Sequence, residues 1–375
     1  MNLNTRAVHA GRADLAGLGL HVAPIDLSTT YPNLDTRGEA ARLEILGTGA
    51  SDGGPPIYGR LGNPTVARFE TALADLEGCE AAVAFASGMA ALSACLLAAA
   101  ARGKPHIAGI RPLYGTTDHL LESGLLGTSI TWTTPDKIET ALRNDTGLVI
   151  VESPANPTLE EHDIRAIADA CGDVPLLVDN TFATPILQRP AELGASMVMH
   201  SATKFLGGHG DVVGGVIACD EQTARTLRQI RFATGGILHP LAGYLLLRGL
   251  STLPIRVKTA SQTAKTLAGR LAAHPGVSAV FYPQRTGGAL VSIEVPGDPH
   301  DVLDRVRLFT PAVSLGGVDS LIQIPAALTH HIMDAGQRAD AGISDRLIRI
   351  AVGLEDVEDL WADLDQALTN VHPTE

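Results

Sequence analysis

Apolar runs alternate with amphipathic segments along the middle of the chain. Short, nearly continuous apolar runs typical of buried strands occur at residues 81–86, 106–110, 129–132, 148–151, 176–179, 196–200 and 212–218. Segments with apolar positions at helical spacing separate most of them, at residues 89–101, 117–123, 136–143 and 164–171. Before the first strand, Asn63-Pro64 begins a further helix that Gly78 ends, with apolar positions at Val66, Phe69, Leu73 and Leu76.

This alternation predicts an α/β fold. Strands separated by helices form a largely parallel sheet that is covered by helices on both faces. In such sheets a ligand lies at the carboxyl ends of the strands. The residues that directly follow each strand are therefore the candidates for a functional site.

The pattern divides the chain into three regions. Residues 1–55 are rich in Gly, Pro, Thr and Asp, and within them only residues 40–46 resemble a helix. We interpret this region as an arm that wraps a partner subunit or is partly disordered. Residues 56–240 are predicted to form a large domain and residues 241–375 a smaller, helix-rich α/β domain. In the smaller domain we expect a long helix at 257–273 and strands near 277–282, 289–294, 320–323 and 347–351.

The composition is that of a compact globular protein. Of the 375 residues 45% are hydrophobic and 18% are charged, and the net charge of −13 argues against a nucleic-acid-binding surface. The four cysteines have neither a CxxC pair nor metal-ligand spacing, which indicates buried thiols of a reducing compartment and no metal site. The sequence begins without an apolar secretory segment, and Ser87-Gly88 interrupts the uncharged stretch 81–101, which disfavours a membrane span. We expect a cytoplasmic protein.

Polar residues suited to binding a ligand follow four of the predicted strands. Ser87-Gly88-Met89 opens a helix, where free backbone N–H groups and the helix dipole suit a phosphate. Tyr114 follows the next strand, and Asn156 displays an amide in an extended turn. Asp179 ends a very apolar strand, where a carboxylate needs a cationic partner to offset its desolvation.

Lys204 follows the sixth strand, flanked by the hydroxyls of Ser201 and Thr203 and by a run of glycines. An amine in this position is a nucleophile once burial or a nearby cation lowers its pKa. A surface lysine in a glycine-rich loop would explain the same stretch, as packing would explain Tyr114 alone. Taken together, however, a phosphate cradle, an aromatic ring, a buried carboxylate and an amine meet the requirements of pyridoxal 5′-phosphate.

At these positions the sequence resembles the Cys/Met-metabolism family of pyridoxal-phosphate enzymes, which includes cystathionine γ-synthase, the cystathionine lyases, methionine γ-lyase and O-acetylhomoserine sulfhydrylase. The resemblance runs from about residue 57 to the C-terminus. It implies an aspartate-aminotransferase-like fold, type I of the PLP-dependent transferases. The motifs that carry it are Tyr58-Gly-Arg60-Leu-Gly-Asn-Pro-Thr, Ser87-Gly-Met, Leu113-Tyr-Gly, Glu152-Ser-Pro-Ala-Asn-Pro, Asp179-Asn-Thr-Phe, Ser201-Ala-Thr-Lys, Val313-Ser-Leu-Gly-Gly and Leu347-Ile-Arg349-Ile-Ala-Val-Gly-Leu-Glu-Asp.

The resemblance implies roles for the matching residues. Lys204 would form the Schiff base with the cofactor and move protons, Asp179 would pair with the pyridine nitrogen, and Tyr114 would stack on the ring and protonate the leaving group. Arg349 would bind the substrate carboxylate bidentately, assisted by Asn156 and Ser314. The phosphate would be held by Ser87, Gly88, Met89, Ser201 and Thr203, and by Tyr58 and Arg60 of a neighbouring subunit, so that the family's usual homotetramer is expected.

The residues around the substrate tail favour γ-elimination on a methionine-like thioether. Val313 stands where cystathionine-processing relatives carry a glutamate, and the motif around it resembles that of methionine γ-lyase. Two positions depart from that enzyme, which usually has a cysteine in place of Thr116 and a Lys-Asp pair where this chain has Arg231-Phe232. The connection 283–288 is also short for the family.

Three alternatives stay open on the sequence. Within the family these are γ-replacement on an activated homoserine ester and cleavage of cystathionine. From a different class, a non-catalytic cofactor-binding protein is disfavoured by the intact set of Lys204, Asp179, Tyr114 and Arg349. The adjacent His330 and His331 would point to opposite sides of a strand, which suits structural or rim residues better than metal ligands.

Overall fold

The computed structural model describes residues 1–33, 35–50 and 54–369. Its strands are β1 (Ala81–Phe85), β2 (His106–Ile110), β3 (Ser129–Thr133), β4 (Thr146–Glu152), β5 (Leu176–Asp179), β6 (Met197–His200), β7 (Gly215–Cys219), β8 (Ala279–Phe281), β9 (Leu290–Glu294), β10 (Thr310–Pro311), β11 (Leu321–Gln323) and β12 (Leu347–Ala351).

The helices follow the predicted alternation with the strands. They are α1 (Leu3–His9), α2 (Gly38–Gly47), α3 (Pro64–Glu77), α4 (Gly88–Ala101), α5 (Gly115–Ser123), α6 (Ile138–Ala141), α7 (Ile164–Cys171), α8 (Thr184–Leu187), α9 (Glu221–Thr234), α10 (Pro240–Leu250), α11 (Leu253–Leu271), α12 (Pro299–Leu303), α13 (Ala335–Asp340) and α14 (Val357–Leu368). Short 3-10 turns lie at Pro135–Lys137, Pro190–Leu193 and Pro325–Ala327.

The central sheet has the strand order β1-β7-β6-β5-β4-β2-β3. The pairs of β2 with β3 and β4, of β4 with β5 and of β5 with β6 are parallel, whereas β7 runs antiparallel to β6 and β1. The predicted α/β fold with a mostly parallel sheet is confirmed. Strand β7 reverses because a loop without a crossover helix joins it to β6, and parallel neighbours need such a crossover.

Local sequence sets the start of the helices that border the site. The side chain of Asn63 accepts hydrogen bonds from the backbone N–H groups of Thr65 and Val66 at 2.9 and 3.2 Å, which caps α3 as predicted. Gly78 ends α3 in the left-handed conformation with φ 77°. Ser87 caps α4 by accepting from Ala90 N at 3.1 Å.

One predicted helix is much shorter in the structure. Residues 136–143 were expected to form one helix, but a 3-10 turn at Pro135–Lys137 is followed by the single turn of α6. Leu142 is already extended, with ψ 139°. The backbone N–H of Arg143 donates to Thr146 Oγ1 at 2.6 Å, and this bond with a side chain replaces a further turn of helix.

The C-terminal region contains a second sheet with the order β10-β11-β12-β9-β8. It is antiparallel except for β10 with β11. Apolar residues of α11 and α14 form one buried cluster with this sheet. Helices α10 to α14 include more residues than the five short strands, so the region is helix-rich as predicted. Helix α11 begins four residues earlier than predicted, with Pro254 in its first turn. The predicted domain boundaries at residues 55 and 240 stay predictions.

Helix α1 of the N-terminal region packs on α3. Arg6 donates to both carboxylate oxygens of Asp75 at 2.9 Å, which anchors α1. Further on, apolar side chains at Leu18, Val22 and Leu27 are exposed. Among the described residues, no helix combines the length and the apolar character that a bilayer crossing requires.

Candidate active site

A cavity of about 240 Å³ opens at the carboxyl edge of the central sheet, where the second sheet faces it. It gathers most of the residues that the sequence nominated. These are Ser87, Gly88, Met89, Tyr114, Asn156, Asp179, Ser201, Thr203, Lys204, Val313, Ser314 and Arg349. Its lining also includes residues that were not nominated, namely Thr117, Glu152, Thr181, Phe182, Met199, Leu315 and Thr329.

The start of α4 and the loop after β6 form one wall of the cavity. A Cβ atom at Gly88 would lie 3.1 Å from the Cβ of Ser201, so glycine lets the two segments approach closely. The Thr203 hydroxyl closes the loop after β6, because it donates to Gly214 O at 3.2 Å and accepts from Gly214 N at 3.0 Å. Free N–H groups at the helix start, with serine and threonine hydroxyls opposite, are suited to a phosphate.

Lys204 extends from this loop into the cavity. Its Nζ donates to Ser314 Oγ at 2.8 Å. Burial lowers the pKa of Lys204 to about 8, and the positive charge of Arg349 contributes in the same direction. The uncharged form, which attacks a carbonyl, is therefore more populated near neutral pH than in an ordinary lysine.

A buried arginine that the sequence analysis did not nominate supports the Lys204 loop. Arg256, on α11, donates to Phe205 O at 2.8 Å and to Gly249 O at 2.7 Å. Burial lowers its pKa to about 10. On the sequence, this residue is one charged position within a long amphipathic helix, and nothing there distinguishes it from a solvated one.

Asp179 lies at the end of β5, on the floor of the cavity. Its Oδ1 accepts from the backbone N–H of Thr181 at 3.0 Å and from the Thr181 hydroxyl at 2.5 Å. Removal from water raises the pKa of Asp179, while the hydrogen bonds from Thr181 and the charge of His200 oppose that rise. A carboxylate held in this way can accept an N–H from a ligand ring.

Arg349 projects from β12 and is 2% exposed. It donates to Asn156 Oδ1 and to the carbonyl oxygen of Ser314, both at 2.9 Å. The Gln323 amide, oriented by its hydrogen bonds, accepts from the same guanidinium at 2.7 to 3.2 Å. Burial lowers the pKa of Arg349 to about 10, which leaves it charged at neutral pH. The geometry is that of a fixed cation for a carboxylate.

Ser314 adopts a backbone conformation that is rare for a residue with a side chain, with φ 94°. This conformation allows one residue to serve two partners, since its carbonyl oxygen accepts from Arg349 and its hydroxyl from Lys204. Strained backbone of this kind is concentrated at functional sites.

Glu152 is a buried residue of the site that the sequence analysis quoted only as part of a motif. Its carboxylate accepts from the backbone N–H groups of Tyr114 and Asn156, both at 2.9 Å. Burial raises the pKa of Glu152 well above its ordinary value, and the negative charge of Asp179 adds to this. The sequence signal was available, because Glu152 ends an apolar strand just as Asp179 does.

Two of the nominated residues lie on the rim of the cavity. Tyr114 is 37% exposed and Val313 is 54% exposed. The backbone of Tyr114 is fixed by Glu152 at the start of α5. Thr116 is not part of the lining, although the following Thr117 is, so its proposed contact with substrate stays a prediction.

Tyr58 and Arg60 lie outside this cavity and are exposed. The Arg60 guanidinium stacks 4.5 Å from the ring centre of Phe232 and donates to Phe232 O at 2.9 Å. Arg231 turns into the protein instead and donates to Glu70 at 2.6 Å and to Ala84 O at 2.8 Å. Neither member of the Arg231-Phe232 pair lines the cavity of its own chain.

The two adjacent histidines differ from the sequence prediction. They lie in a turn after the 3-10 helix Pro325–Ala327, not on a strand. His330 is fully buried, His331 is exposed, and burial lowers the pKa of His330 to about 4. Over residues 1–33, 35–50 and 54–369, no group of three or more His, Cys, Asp or Glu residues could hold a metal ion.

The chain is similar to known enzymes over almost its whole length. A relative from Streptomyces avermitilis named L-methionine γ-lyase is 70% identical, over 98% of this chain and 89% of its own. Another from Brevibacterium sandarakinum, with the same name, is 50% identical over 98% of each chain. A crystal structure of cystathionine γ-lyase from Lactobacillus plantarum has a TM-score of 0.90 and 32% identity, covering 99% of each chain.

The model of the Cys/Met metabolism PLP-dependent enzymes matches residues 4–369. The match therefore includes most of the N-terminal region, which the sequence analysis had left outside the resemblance. The cavity agrees with the match, because it offers a phosphate-binding helix start, a buried carboxylate and an amine whose pKa is lowered. The chain therefore belongs to the Cys/Met metabolism family of PLP-dependent enzymes.

Proposed function

We propose that the protein is a carbon–sulfur lyase that catalyses γ-elimination of L-methionine and similar thioethers, consuming water and releasing a thiol, ammonia and a 2-oxo acid. The observation that carries this proposal is the single cavity that contains Lys204, Asp179 and Arg349 and is bordered by the apolar side chain of Val313. The names of the relatives from Streptomyces and Brevibacterium support the same reaction.

In this proposal, the start of α4 and the loop after β6 would hold the cofactor phosphate, and the Asp179 carboxylate would pair with the pyridine nitrogen. The bound cofactor supplies an electron sink for the pair released at the substrate Cα. Lys204 would hold the cofactor through Nζ, and with substrate bound the same amine would take the proton from Cα, hand it on, and then take one from Cβ. The Tyr114 hydroxyl donates a proton to the sulfur as the Cγ–S bond breaks.

Substrate recognition in this proposal divides into two parts. Arg349 binds the substrate carboxylate, and its bonds to Asn156 and Ser314 fix the orientation of the guanidinium. Val313 lies at the position of the substrate tail, where an uncharged thioether loses little by desolvation. A charged amino group at the end of the tail would have no counterion from Val313.

Product analysis on three inputs tests the reaction. We expect L-methionine to give a thiol and a 2-oxo acid, while L-cystathionine gives at least about tenfold less product per unit time because Val313 offers its distal amine no charge. O-acetylhomoserine with sulfide is the third input. Homocysteine from that mixture, with methionine left intact, would assign the protein to γ-replacement instead.

Val313→Glu should reverse this preference. We expect the ratio of kcat/KM for cystathionine to that for methionine to rise at least about tenfold, because the new carboxylate pairs with the distal ammonium. Val318→Glu is the matched control, since Val318 is also exposed and does not line the cavity. An unchanged ratio in Val313→Glu would contradict the assigned place of the substrate tail.

We further propose that the active form is a homotetramer built from two dimers. Support comes from Tyr58 and Arg60, which are exposed outside the cavity of their own chain, and from the exposed apolar residues of the N-terminal region. Both features fit a second copy that covers this surface and receives Arg60 at its phosphate site. Light scattering of the purified holoenzyme should give the mass of four chains, and a monomer would refute the proposal.

A cytoplasmic location completes the proposal. The cysteines Cys79, Cys95, Cys171 and Cys219 are all free. Free, mostly buried thiols are usual in reducing compartments. Cell fractionation is the direct test.

A further inference from the structure

A carboxylate and an imidazole are buried together behind the floor of the active site. Glu77, the last residue of α3, and His200, the last residue of β6, are both 0% exposed. Their Oε1 and Nε2 atoms are 2.5 Å apart. Glu77 Oε2 and His200 Nδ1 have no hydrogen-bond partner. Neither Glu77 nor His200 has a role in the proposed γ-elimination.

The pair connects the two strand ends that carry the catalytic groups. Glu77 Oε1 also accepts from the side chain of Asn180 at 3.2 Å, and the Asn180 backbone N–H donates to Met199 O at 2.9 Å. Gln188 completes the cluster by donating to Asn180 Oδ1 at 3.1 Å. Glu77 therefore contacts both Asn180, which follows Asp179, and His200, which precedes Ser201.

The pair lies on the opposite face of the sheet from the cavity. Asp179 and Met199, which are register partners on β5 and β6, line the cavity. Their successors Asn180 and His200 face α3, as expected from the alternation of side chains in extended chain. The imidazole is thus separated from the Asp179 carboxylate by the thickness of the sheet.

Stability is a weak reason to bury this pair. The C-terminus of a helix carries a partial negative charge, which disfavours a carboxylate such as Glu77. Replacing a buried ion pair with apolar residues is often neutral or stabilising. The cluster therefore points to an effect on its neighbour Asp179.

We propose that Glu77 and His200 are positioning residues for the reaction: Glu77 keeps His200 positively charged behind β5, and this charge keeps the Asp179 carboxylate ionised and directed at the pyridine nitrogen of the cofactor. The inference rests on the proposed function, since it needs the cofactor in this cavity.

The charges around Asp179 explain why such support is needed. Glu152, its register partner on β4, is a second carboxylate in the same buried space, and burial also disfavours the charged form of Asp179. Arg349 and Lys204 reach the cavity from the other side. Among the charged groups, His200 is the one whose charge lowers the pKa of Asp179 from behind the sheet.

The test uses Glu77→Gln holoenzyme loaded with cofactor labelled with ¹⁵N at the pyridine position. At neutral pH we expect the nitrogen resonance to lie closer to that of an unprotonated pyridine than in the wild type, because the Asp179 carboxylate is more basic without the His200 charge and draws the proton away from the ring nitrogen. We also expect kcat for methionine to fall at least about tenfold with KM within about twofold, since Arg349 is untouched. Glu77→Asp, which keeps the carboxylate, should restore part of the wild-type nitrogen resonance and part of the wild-type kcat.

Asp363→Asn is the matched control, because Asp363 is also buried but caps the backbone of residues 307–309 in the other sheet region. It should lower the unfolding midpoint and leave the nitrogen resonance unchanged. If Glu77→Gln behaves in the same way, the pair is structural and the inference is overturned.

If Glu77→Gln does not fold, the double variant Glu77→Gln/His200→Gln replaces the pair with two neutral amides and is measured identically. A wild-type nitrogen resonance and kcat in that variant would also overturn the inference. Failure of the wild type to take up the labelled cofactor would refute the proposed function itself, so the two failures are distinguishable.

Discussion

Lys204→Ala is expected to lower kcat/KM for methionine by at least about 10⁴-fold, because it removes the nucleophile and the proton-transfer group together. The protein should remain folded. The lowered pKa of Lys204 shows that the folded state disfavours the charged amine, so its removal costs little stability. Activity and the unfolding midpoint are the two measurements.

The same lysine gives a pH readout in the cofactor-free protein. The amine is protonated below a pKa of about 8 and uncharged above it, so cofactor uptake by the wild type should rise as the pH increases through that value. Lys204→Ala should lack this rise. Lys137→Ala, at an exposed lysine, should match the wild type in both assays. Full turnover by Lys204→Ala would refute the assignment of the site.

Arg349→Lys is expected to lower kcat/KM by about 10²-fold, mainly through KM. A lysine ammonium cannot donate to a substrate carboxylate bidentately while it also serves Asn156 and Ser314. Charge-assisted hydrogen bonds of this kind contribute about 1.5–3 kcal/mol each. Steady-state kinetics with methionine provides the measurement.

Arg307→Lys serves as the control, because Arg307 is exposed and does not line the cavity. An amine that resembles methionine but lacks the carboxylate should bind wild type and Arg349→Lys equally well. A loss of binding for that analogue as large as for methionine would show that Arg349 acts on the fold of the cavity and not on the carboxylate.

The strands and most helices of the central sheet could be predicted because their residues obey local rules. Apolar runs such as that ending at Asp179, the cap at Asn63 and the stop at Gly78 are visible in a few consecutive letters. The site residues from these strands could be predicted as well, since the ends of parallel strands meet at one edge of a sheet.

The features that could not be predicted depend on contacts between distant parts of the chain. The direction of β7 and the pairing of Gln323 with Arg349 follow from sheet register, which no local pattern encodes. The bond between Lys204 and Ser314 joins residues separated by 110 positions. Burial of Glu77 and His200 could not be inferred, because isolated Glu and His residues are usually solvated.

The cavity takes its groups from two sheets that have separate tasks in the proposed reaction. The central sheet provides Lys204 and Asp179, which act on the cofactor, whereas β12 and the segment before β11 provide Arg349 and Val313, which face the substrate. Mutations in the second sheet can therefore alter which amino acid is accepted and leave the reaction chemistry intact. Such a division gives new specificities an evolutionary route within one inherited catalytic apparatus.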